Sequence, residues 1–496
     1  MAQKTPVPEG TLTVLCAAGL LVAGLVVRML AARGDLWLDE LWSISIANRL
    51  PRALDALTLA HDNNHALNTL FVRLLLGSGF PIDPLVVRSL SVVTGTAAVG
   101  LLAMVARRWG RPAAWVALIL GGSCYLLVHY SSEERGYMPM LCFLLLCMVV
   151  AREGIDDPKA WRLGLFGASS VLAFTAHLLF VAPAVAIGLW IGLRATGSFW
   201  QRLLCLLRWE AIPLAGAGAT WVFRASRLYR GGADEEPQWR GAAQLFSSAV
   251  GGPLQGRAAI LVALLVAGGI ILVAVRWLPL ADRVLVLVGA FLLPASFILT
   301  GARFGASRYF LGSVPFVLLA AACGLGRALA ANARIWRTTG ALALAATVFG
   351  SARHIDRLLR DQRGHYTKAV ERMASDDAAA EIQVAGDHDF RVGWVLDLYG
   401  NNLPPGRRLV YHPLAPAPPA TEWFVAHSLD PDAQLAATIV RANHPYRLVE
   451  RFASAPLSGT VLFLYRRSGI ASGEQPAFEL KAARSGARRA RTRTAR

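Results

Sequence analysis

Two adjacent carboxylates, Asp39 and Glu40, follow the first long hydrophobic segment of the chain and lie between Trp37 and Trp42. A charged pair at a membrane boundary is costly unless it is solvated or serves a function. Tryptophans hold a segment at the interface between lipid and water, and carboxylates held there can act as general bases or bind a metal ion. The pattern indicates a candidate reactive site, with a solvated pair of loop acids as the ordinary alternative.

Further polar side chains occur in later loops that we expect at the same membrane boundary. They are Asn64, His65, Glu133, Arg135, Tyr137, His177, Arg308 and Tyr309. Each has a plain explanation by itself, such as an ion pair between Glu133 and Arg135 or a hydrogen-bonded buried histidine at position 177. Arginine holds phosphate oxyanions through its planar fork of N–H groups. Carboxylates and arginines together beside lipid therefore predict chemistry on a phosphate-bearing lipid.

The composition predicts the class of protein that must position these groups. Hydrophobic residues make up 55% of the 496-residue chain, and the mean hydropathy is +0.45. Apolar runs near the length of a bilayer crossing recur, and their backbone must form helices to satisfy its hydrogen bonds in lipid. We expect an α-helical polytopic membrane protein with about eleven transmembrane helices. The net charge of +18 falls largely in short loops, as the positive-inside bias predicts, so no nucleic-acid partner is expected.

Loop charges also predict the orientation and the local exceptions. The N-terminus is expected in the cytoplasm, so the first span delivers Asp39 to the outer face. The short apolar stretch 66–80 is interpreted as interfacial or re-entrant. The region 161–193 is interpreted as two helices that turn near His177, and 338–350 as the last crossing, which places the C-terminus outside.

After the last apolar run, charged residues, prolines and histidines become more frequent and long apolar runs stop. This change in composition predicts that the chain has three parts. They are a transmembrane catalytic domain (1–350), a small α/β domain on the outer face (351–467) and a basic disordered tail (468–496). In the second part, alternation and helical periodicity predict helices at 367–380 and 432–442, strands at 381–385, 423–426, 447–452 and 461–466, and a proline-rich loop at 404–419.

Four segments carry a family resemblance, in the order 38–42 (LDELW), 64–67 (NHAL), 130–137 (YSSEERGY) and 308–311 (RYFL, with Pro315 following). They resemble motifs of the C-type (GT-C) membrane glycosyltransferases, specifically the branch of protein O-mannosyltransferases and lipid A aminoarabinose transferases. The sequence departs from the family pattern at three positions. Ala66 and Gly312 each replace a proline, and Glu134 replaces a small residue.

The resemblance implies a donor sugar carried on polyprenyl monophosphate and presented from the outer leaflet. Asp39, with Glu40 beside it in the catalytic set, would take a proton from the acceptor hydroxyl during a single inverting displacement. Arg135 and Arg308 would stabilise the departing lipid phosphate. Glu133 would orient Arg135, the acceptor or a metal.

The remaining residues of the set fall to substrate binding. His65 and His177 would contact phosphate or sugar, and Asn64, Tyr137 and Tyr309 complete the substrate-binding set. A divalent metal stays open, and no soluble nucleotide site is needed. The acceptor would be a glycan, a lipid or a protein, and the location the inner membrane of a bacterium with the active site on the periplasmic side.

Two other classes of membrane protein are the alternatives to a glycosyltransferase. A transporter or lipid flippase predicts charged residues near the bilayer midplane and internal repeats, and neither is clear in this sequence. A membrane scaffold that presents the outer domain leaves the four ordered segments unexplained.

Overall fold

A computed structural model describes residues 9–61, 65–80, 82–228, 237–301, 305–414 and 420–468. By contacts between Cα atoms, the chain divides into two compact units. The first comprises Met1–Gly34 and Asp39–Arg360, and the second comprises Asp35–Leu38 and the chain from Asp361 onward.

The first unit is helical. Its helices are α1 (Glu9–Ala31), α2 (Leu38–Arg49), α3 (Ala66–Gly77), α4 (Pro84–Ala106), α5 (Arg111–Ser123), α6 (Tyr125–Ser131), α7 (Tyr137–Ala151), α8 (Ala160–Ala176), α9 (Val181–Arg194), α10 (Phe199–Phe223), α11 (Gln238–Ala249), α12 (Gly256–Trp277), α13 (Leu280–Thr300), α14 (Val314–Leu329) and α15 (Arg334–Asp361). Short 3₁₀ helices cover Ala53–Thr58, Arg107–Trp109, Leu178–Phe180, Ala225–Arg227 and Ser307–Ser313.

Among the described residues, five helices are long and apolar enough to cross a membrane. They are Thr13–Ala31, Pro84–Trp109, Gly256–Trp277, Leu280–Thr300 and Ser307–Leu329. The pair α5 and α6, bent by 53° at its break, forms a sixth if it is one span. The chain is therefore a multi-pass membrane protein, and the prediction of about eleven spans is not confirmed.

The lower count has a physical reason in the individual helices. The helices α7 and α9, which were counted among the predicted crossings, are apolar but too short by themselves to cross a bilayer. The predicted last crossing, 338–350, is only the middle of the 28-residue α15, which continues through Arg353, Asp356 and Arg360. By contrast, the predicted turn near His177 is confirmed, because α8 ends at Ala176 and α9 begins at Val181.

Buried arginines tie the spans to one another on the side where α1 ends. Arg28, in the last turn of α1, donates from Nε to Ser131 Oγ over 3.1 Å. It also donates from Nη2 to the Gly121 carbonyl over 3.2 Å. A charged group inside a span is tolerated when such partners surround it. Arg28 therefore holds α1 against both halves of the bent pair α5 and α6.

The second unit contains a mixed β-sheet, as predicted. Its strands are β1 (Glu381–Gly386), β2 (Arg408–His412), β3 (Trp423–Ser428), β4 (Thr438–Arg441), β5 (His444–Phe452) and β6 (Val461–Arg467), in the order β2-β1-β3-β6-β5-β4. The strands β2 and β3 pair with β1 in parallel, and the other neighbours pair antiparallel. The helices α16 (Tyr366–Asp376) and α17 (Trp394–Gly400), with a π-helical turn at Asp389–Gly393, belong to the same unit.

Two predictions for this unit are wrong. The segment 432–442 is not a helix, because Thr438–Arg441 forms β4 and pairs with β5. Its β-branched run of Thr438, Ile439 and Val440 favours a strand. The proline-rich segment 404–419 contains β2, whose Arg408 pairs with Glu381 of β1; residues 415–419 lie outside the described residues.

The four-residue segment Asp35–Leu38 is held within the second unit by specific bonds. The Asp35 carboxylate accepts from the Thr367 amide over 2.8 Å and from the Thr367 hydroxyl over 2.9 Å. The Tyr399 hydroxyl donates to the Leu36 carbonyl over 2.9 Å. The start of α16 and the body of α17 thus fix the backbone conformation of this segment.

Candidate active site

The centre of the candidate site is Asp39, in the first turn of α2. Its Oδ2 lies 3.6 Å from Arg135 Nη2 and 3.6 Å from Arg308 Nη1. The Asp39 side chain keeps 27% of its surface exposed, so a solute can reach it. The structure thereby brings together three groups from distant loops that the sequence placed in one site.

Glu40, the neighbour of Asp39, lies in different surroundings. Its side chain is fully buried, and both of its oxygens accept from Arg88, over 2.7 Å at Oε1 and 2.5 Å at Oε2. Arg88 is on α4, and its Nη1 also donates to the carbonyls of Ala32 and Gly34. Glu40 is therefore anchored between helices, whereas the Asp39 side chain is partly exposed.

The same Glu40 carboxylate reaches a second loop. Its Oε1 accepts from the Glu134 amide over 2.7 Å, and the Ser91 hydroxyl of α4 donates to the Arg135 carbonyl over 3.1 Å. These two bonds fix the backbone at Glu134 and Arg135. Glu40 holds the residue before Arg135, and Ser91 holds Arg135 itself.

The loop that carries Glu133 and Arg135 is a tight connection between α6 and α7. The Ser132 hydroxyl donates to the Val128 and His129 carbonyls over 3.1 and 2.8 Å, and such bonds back to the preceding turn help to end a helix. A Cβ on Gly136 would lie 2.0 Å from the Ala176 carbonyl oxygen and 2.8 Å from His65 Nδ1. Only glycine permits this close approach.

A cluster of aromatic rings lies under the loop. The rings of Tyr137 and His177 are stacked, with centroids 4.8 Å apart, and His65 lies 4.8 Å from His177 and 5.2 Å from Tyr137. The His177 backbone is extended between α8 and α9, and its Nδ1 accepts from the Leu179 amide over 3.1 Å. That bond leaves Nε2 to carry the proton when the ring is neutral.

The other predicted site residues have the following places. Glu133 is buried and acts electrostatically on both Arg135 and Tyr137. The Arg308 guanidinium lies 5.4 Å from the centre of the Tyr309 ring, a cation–π distance. Asn64 lies outside the described residues.

Sequence reasoning missed Arg224, which follows α10. The residue is 2% exposed, and its charge acts on both His65 and His177. A single arginine after an apolar helix looks like an ordinary loop charge. The sequence signal that distinguishes it is weak, because its burial depends on tertiary packing.

The metal left open by the sequence has no assigned ligand set. Among the described residues, no group of three or more His, Cys, Asp or Glu side chains is arranged to hold a metal ion. Near Asp39 the partners are guanidinium groups, which are not metal ligands.

Comparison with known proteins places the chain by its fold. No protein-family model matches the chain, and no curated protein matches it by sequence. The crystal structure of ArnT from Cupriavidus metallidurans in the apo state aligns with a TM-score of 0.50 at 13% identity, over 92% of this chain and 98% of that chain.

Two further structures align less closely. ArnT from Cupriavidus metallidurans bound to undecaprenyl phosphate has a TM-score of 0.48 at 15% identity, over 94% of this chain and 100% of that chain. The arabinofuranosyltransferase AftD from Mycobacteria has a TM-score of 0.42 at 15% identity, over 74% of this chain and 30% of that chain. ArnT is a lipid A aminoarabinose transferase. On the match to apo ArnT, this chain has an ArnT-like fold.

Proposed function

We propose that the protein is an inverting glycosyltransferase that moves a sugar from a polyprenyl-phosphate donor to an acceptor hydroxyl at the outer face of a bacterial inner membrane. The observation that carries the proposal is the partly exposed Asp39 carboxylate with Arg135 and Arg308 each 3.6 Å away. Fold alone does not define function, but the fold shared with a lipid A aminoarabinose transferase agrees with transfer chemistry.

The proposed reaction is one displacement at the anomeric carbon. Asp39 takes the proton of the acceptor hydroxyl as its oxygen forms a bond to the anomeric carbon. The bond from that carbon to the phosphate oxygen breaks, and the lipid phosphate leaves with the bonding electrons. Attack from the face opposite the leaving group inverts the anomeric configuration.

Arg135 and Arg308 meet the electrostatic demand of this step. Negative charge on the lipid phosphate grows as the bond to the sugar breaks, and fixed cations lower the energy of that state because they need no rearrangement. Guanidinium groups suit phosphate because their N–H groups form a planar fork. The two arginines also orient Asp39 before the donor binds.

The remaining site residues have supporting roles in the proposal. Glu133, buried beside Arg135, orients that guanidinium. The rings of His65, Tyr137 and His177 form one wall for sugar or phosphate, with Tyr309 beside Arg308. We assign Glu40 to positioning rather than catalysis, because its ion pair with Arg88 is fully buried.

The domain assignment is part of the proposal. Residues 1–350 form the catalytic membrane part, 351–467 form a domain on the outer face, and 468–496 form a basic tail. The competing class is a lipid transporter. A transporter moves its lipid intact, whereas the proposed enzyme releases polyprenyl phosphate.

The Asp39→Asn variant tests the proposed role of Asp39. Asparagine keeps the size of the side chain but cannot take a proton, so turnover should fall by roughly 10²- to 10⁴-fold while donor binding is retained. The measurement is sugar transfer by the purified protein in detergent, with donor binding measured in parallel. Asp157→Asn, on an exposed loop, is the matched control, and normal turnover in Asp39→Asn would remove Asp39 from the mechanism.

A further inference from the structure

Arg224 is a buried arginine with most of its hydrogen-bonding capacity unused by the described residues. The residue is 2% exposed. Its Nη1 donates to the Thr175 carbonyl over 3.3 Å, and among the described residues Nε and Nη2 have no hydrogen-bond partner. A guanidinium carries five N–H donors, so this set of partners is far from complete.

Two other buried arginines of the first unit, Arg88 and Arg28, show how a structural arginine is satisfied in this protein. Arg88 binds the Glu40 carboxylate through two nitrogens and donates to two carbonyls. Arg28 donates to the Ser131 hydroxyl and to the carbonyls of Gly24 and Gly121. Arg224, by contrast, makes one hydrogen bond, of 3.3 Å, to a carbonyl oxygen. Within the described part of the chain, no carboxylate forms an ion pair with it.

A buried cation without a counter-ion carries a large desolvation penalty. It is retained when something repays that penalty in the working state of the protein. A ligand that brings negative charge next to Arg224 would do so, because it would accept from Nε and Nη2 together.

The neighbours of Arg224 connect it to the candidate active site. The positive charges of Arg135 and Arg224 act on both His65 and His177, and the charge of Arg308 also acts on His177. All three guanidinium groups therefore act on the His177 ring, and the bond from Arg224 to the Thr175 carbonyl places Arg224 at the same stretch of chain. Arg135 and Arg308 lie beside the Asp39 carboxylate, whereas Arg224 has no carboxylate beside it among the described residues.

We propose that Arg224 binds the phosphate of the lipid donor, beside the His65–His177 pair, and keeps hold of that phosphate after the sugar has left. This inference rests on the proposed function, since it assumes that the anionic ligand is a polyprenyl phosphate. Arg224 would supply binding in both the donor and the product state. Arg135 and Arg308 would act on the charge that develops during transfer.

The test is the binding of polyprenyl phosphate, the product without its sugar, to purified protein in nanodiscs. Uncharged polyprenol of the same length is the comparison ligand. Arg224→Gln should weaken binding of polyprenyl phosphate by roughly 10- to 100-fold, the loss expected for one charged hydrogen-bonded contact, and leave polyprenol binding unchanged. Arg224→Lys should fall between the two, because it keeps the charge and loses the fork.

Arg227→Gln is the matched control, since Arg227 is an exposed arginine one turn further along. It should bind both lipids as the wild type does. Thermal unfolding of each variant shows whether the protein is folded. If Arg224→Gln does not fold, Arg224→Lys gives the answer, since its binding must be weaker for the phosphate alone.

Three outcomes separate this inference from the proposed function. Equal binding of polyprenyl phosphate to the wild type and to the folded Arg224 variants would overturn the inference and leave the enzyme proposal intact. Equal losses for polyprenyl phosphate and polyprenol would also overturn it, because the charge would then not be recognised. A loss for the phosphate alone, in a protein that transfers no sugar, would uphold the phosphate site while the proposed reaction fails.

Discussion

Asp39 and Glu40 are adjacent in the chain, yet their carboxylates perform different physical tasks. Asp39 is partly exposed between two arginines, and Glu40 is buried in a bidentate pair with Arg88. The sequence identified the acidic pair but could not predict that its two carboxylates lie in different surroundings. The partner that separates the two residues is on α4, 48 residues away, and local sequence carries no mark of that contact.

Arg224 shows the same limit from the other side. Arg135 and Arg308 were predicted because each belongs to a segment with several distinctive residues. Arg224 belongs to no such segment. Only its burial and its electrostatic effect on His65 and His177 distinguish it from an ordinary loop arginine. Residues inside motifs could be predicted, whereas Arg224, which is distinguished by its burial, could not.

Glu134 provides a prediction about pH at the residue scale. Burial raises the pKa of its carboxyl to about 8, Arg135 opposes that rise, and Glu40 adds to it. An ordinary glutamate titrates near a pKa of about 4.3 in an unfolded chain. Between these two values the folded protein binds more protons than the unfolded chain, so stability falls as pH increases through this window.

Glu134→Gln should remove that dependence. At roughly 1.4 kcal/mol per pKa unit, the variant should gain a few kcal/mol over the wild type by pH 8 and little at pH 5. The measurement is thermal unfolding of both proteins in the same detergent from pH 5 to pH 9. Parallel curves for wild type and variant would show that Glu134 ionises normally in the folded state.

At the scale of elements, the junction of α2, α4 and the loop after α6 sets the geometry of the site. The Glu40 carboxylate accepts hydrogen bonds from the Glu134 amide and from two nitrogens of Arg88. Each of these residues adjoins or supports a residue of the proposed mechanism. The junction therefore determines the separation of Asp39 and Arg135 without touching the substrate.

Glu40→Gln and Arg88→Met should each destabilise the protein by about 3–5 kcal/mol, because each leaves a buried partner unpaired. The double variant should be less destabilised than the sum, since it removes both charges. Where the single variants fold, turnover should fall while donor binding is kept, as expected of positioning residues. Arg360→Gln, in an exposed ion pair with Asp356, should change stability by less than about 1 kcal/mol. Additive losses in the double variant would mean that the pair is not coupled.

The elements themselves could be predicted where one physical rule dominated. The break at His177 and the strands at β1, β3, β5 and β6 follow from apolar periodicity. The strand β4 was missed because a four-residue strand gives little alternation to detect. The span count was not confirmed because short apolar helices such as α7 and α9 satisfy the hydropathy rule but not the length rule.

At the scale of the whole molecule, the proposed orientation is testable without knowing the substrate. In a variant with Cys16 replaced by serine, since the other described cysteines are buried, one new cysteine is introduced at an exposed position. Asp430→Cys, in the second unit, should react with an impermeant thiol reagent in intact cells, and Lys159→Cys should not. Both positions are exposed, so accessibility does not separate them. The reverse labelling pattern would invert the topology and move the candidate site to the cytoplasmic side.

The membrane class followed from composition and from the positive-inside bias, because lipid imposes one strong constraint on every span. The C-type fold followed from ordered motifs and not from physics alone, and the match to ArnT in the apo state supports it. Donor and acceptor identity are set by the shape of a cavity, which neither composition nor motif spacing encodes.

The most direct test of the proposed function is a single-turnover reaction with purified protein and a synthetic polyprenyl-phosphate sugar of known anomeric configuration, in the presence of candidate acceptor glycans, lipids and peptides. Mass spectrometry measures the transferred sugar and the released polyprenyl phosphate, and NMR of the product gives its anomeric configuration. We expect equal amounts of glycosylated acceptor and polyprenyl phosphate, with the configuration inverted and the reaction lost in Asp39→Asn. Movement of the intact donor across liposomes without any release of polyprenyl phosphate would contradict the account and favour a transporter, and a retained configuration would contradict the one-step mechanism.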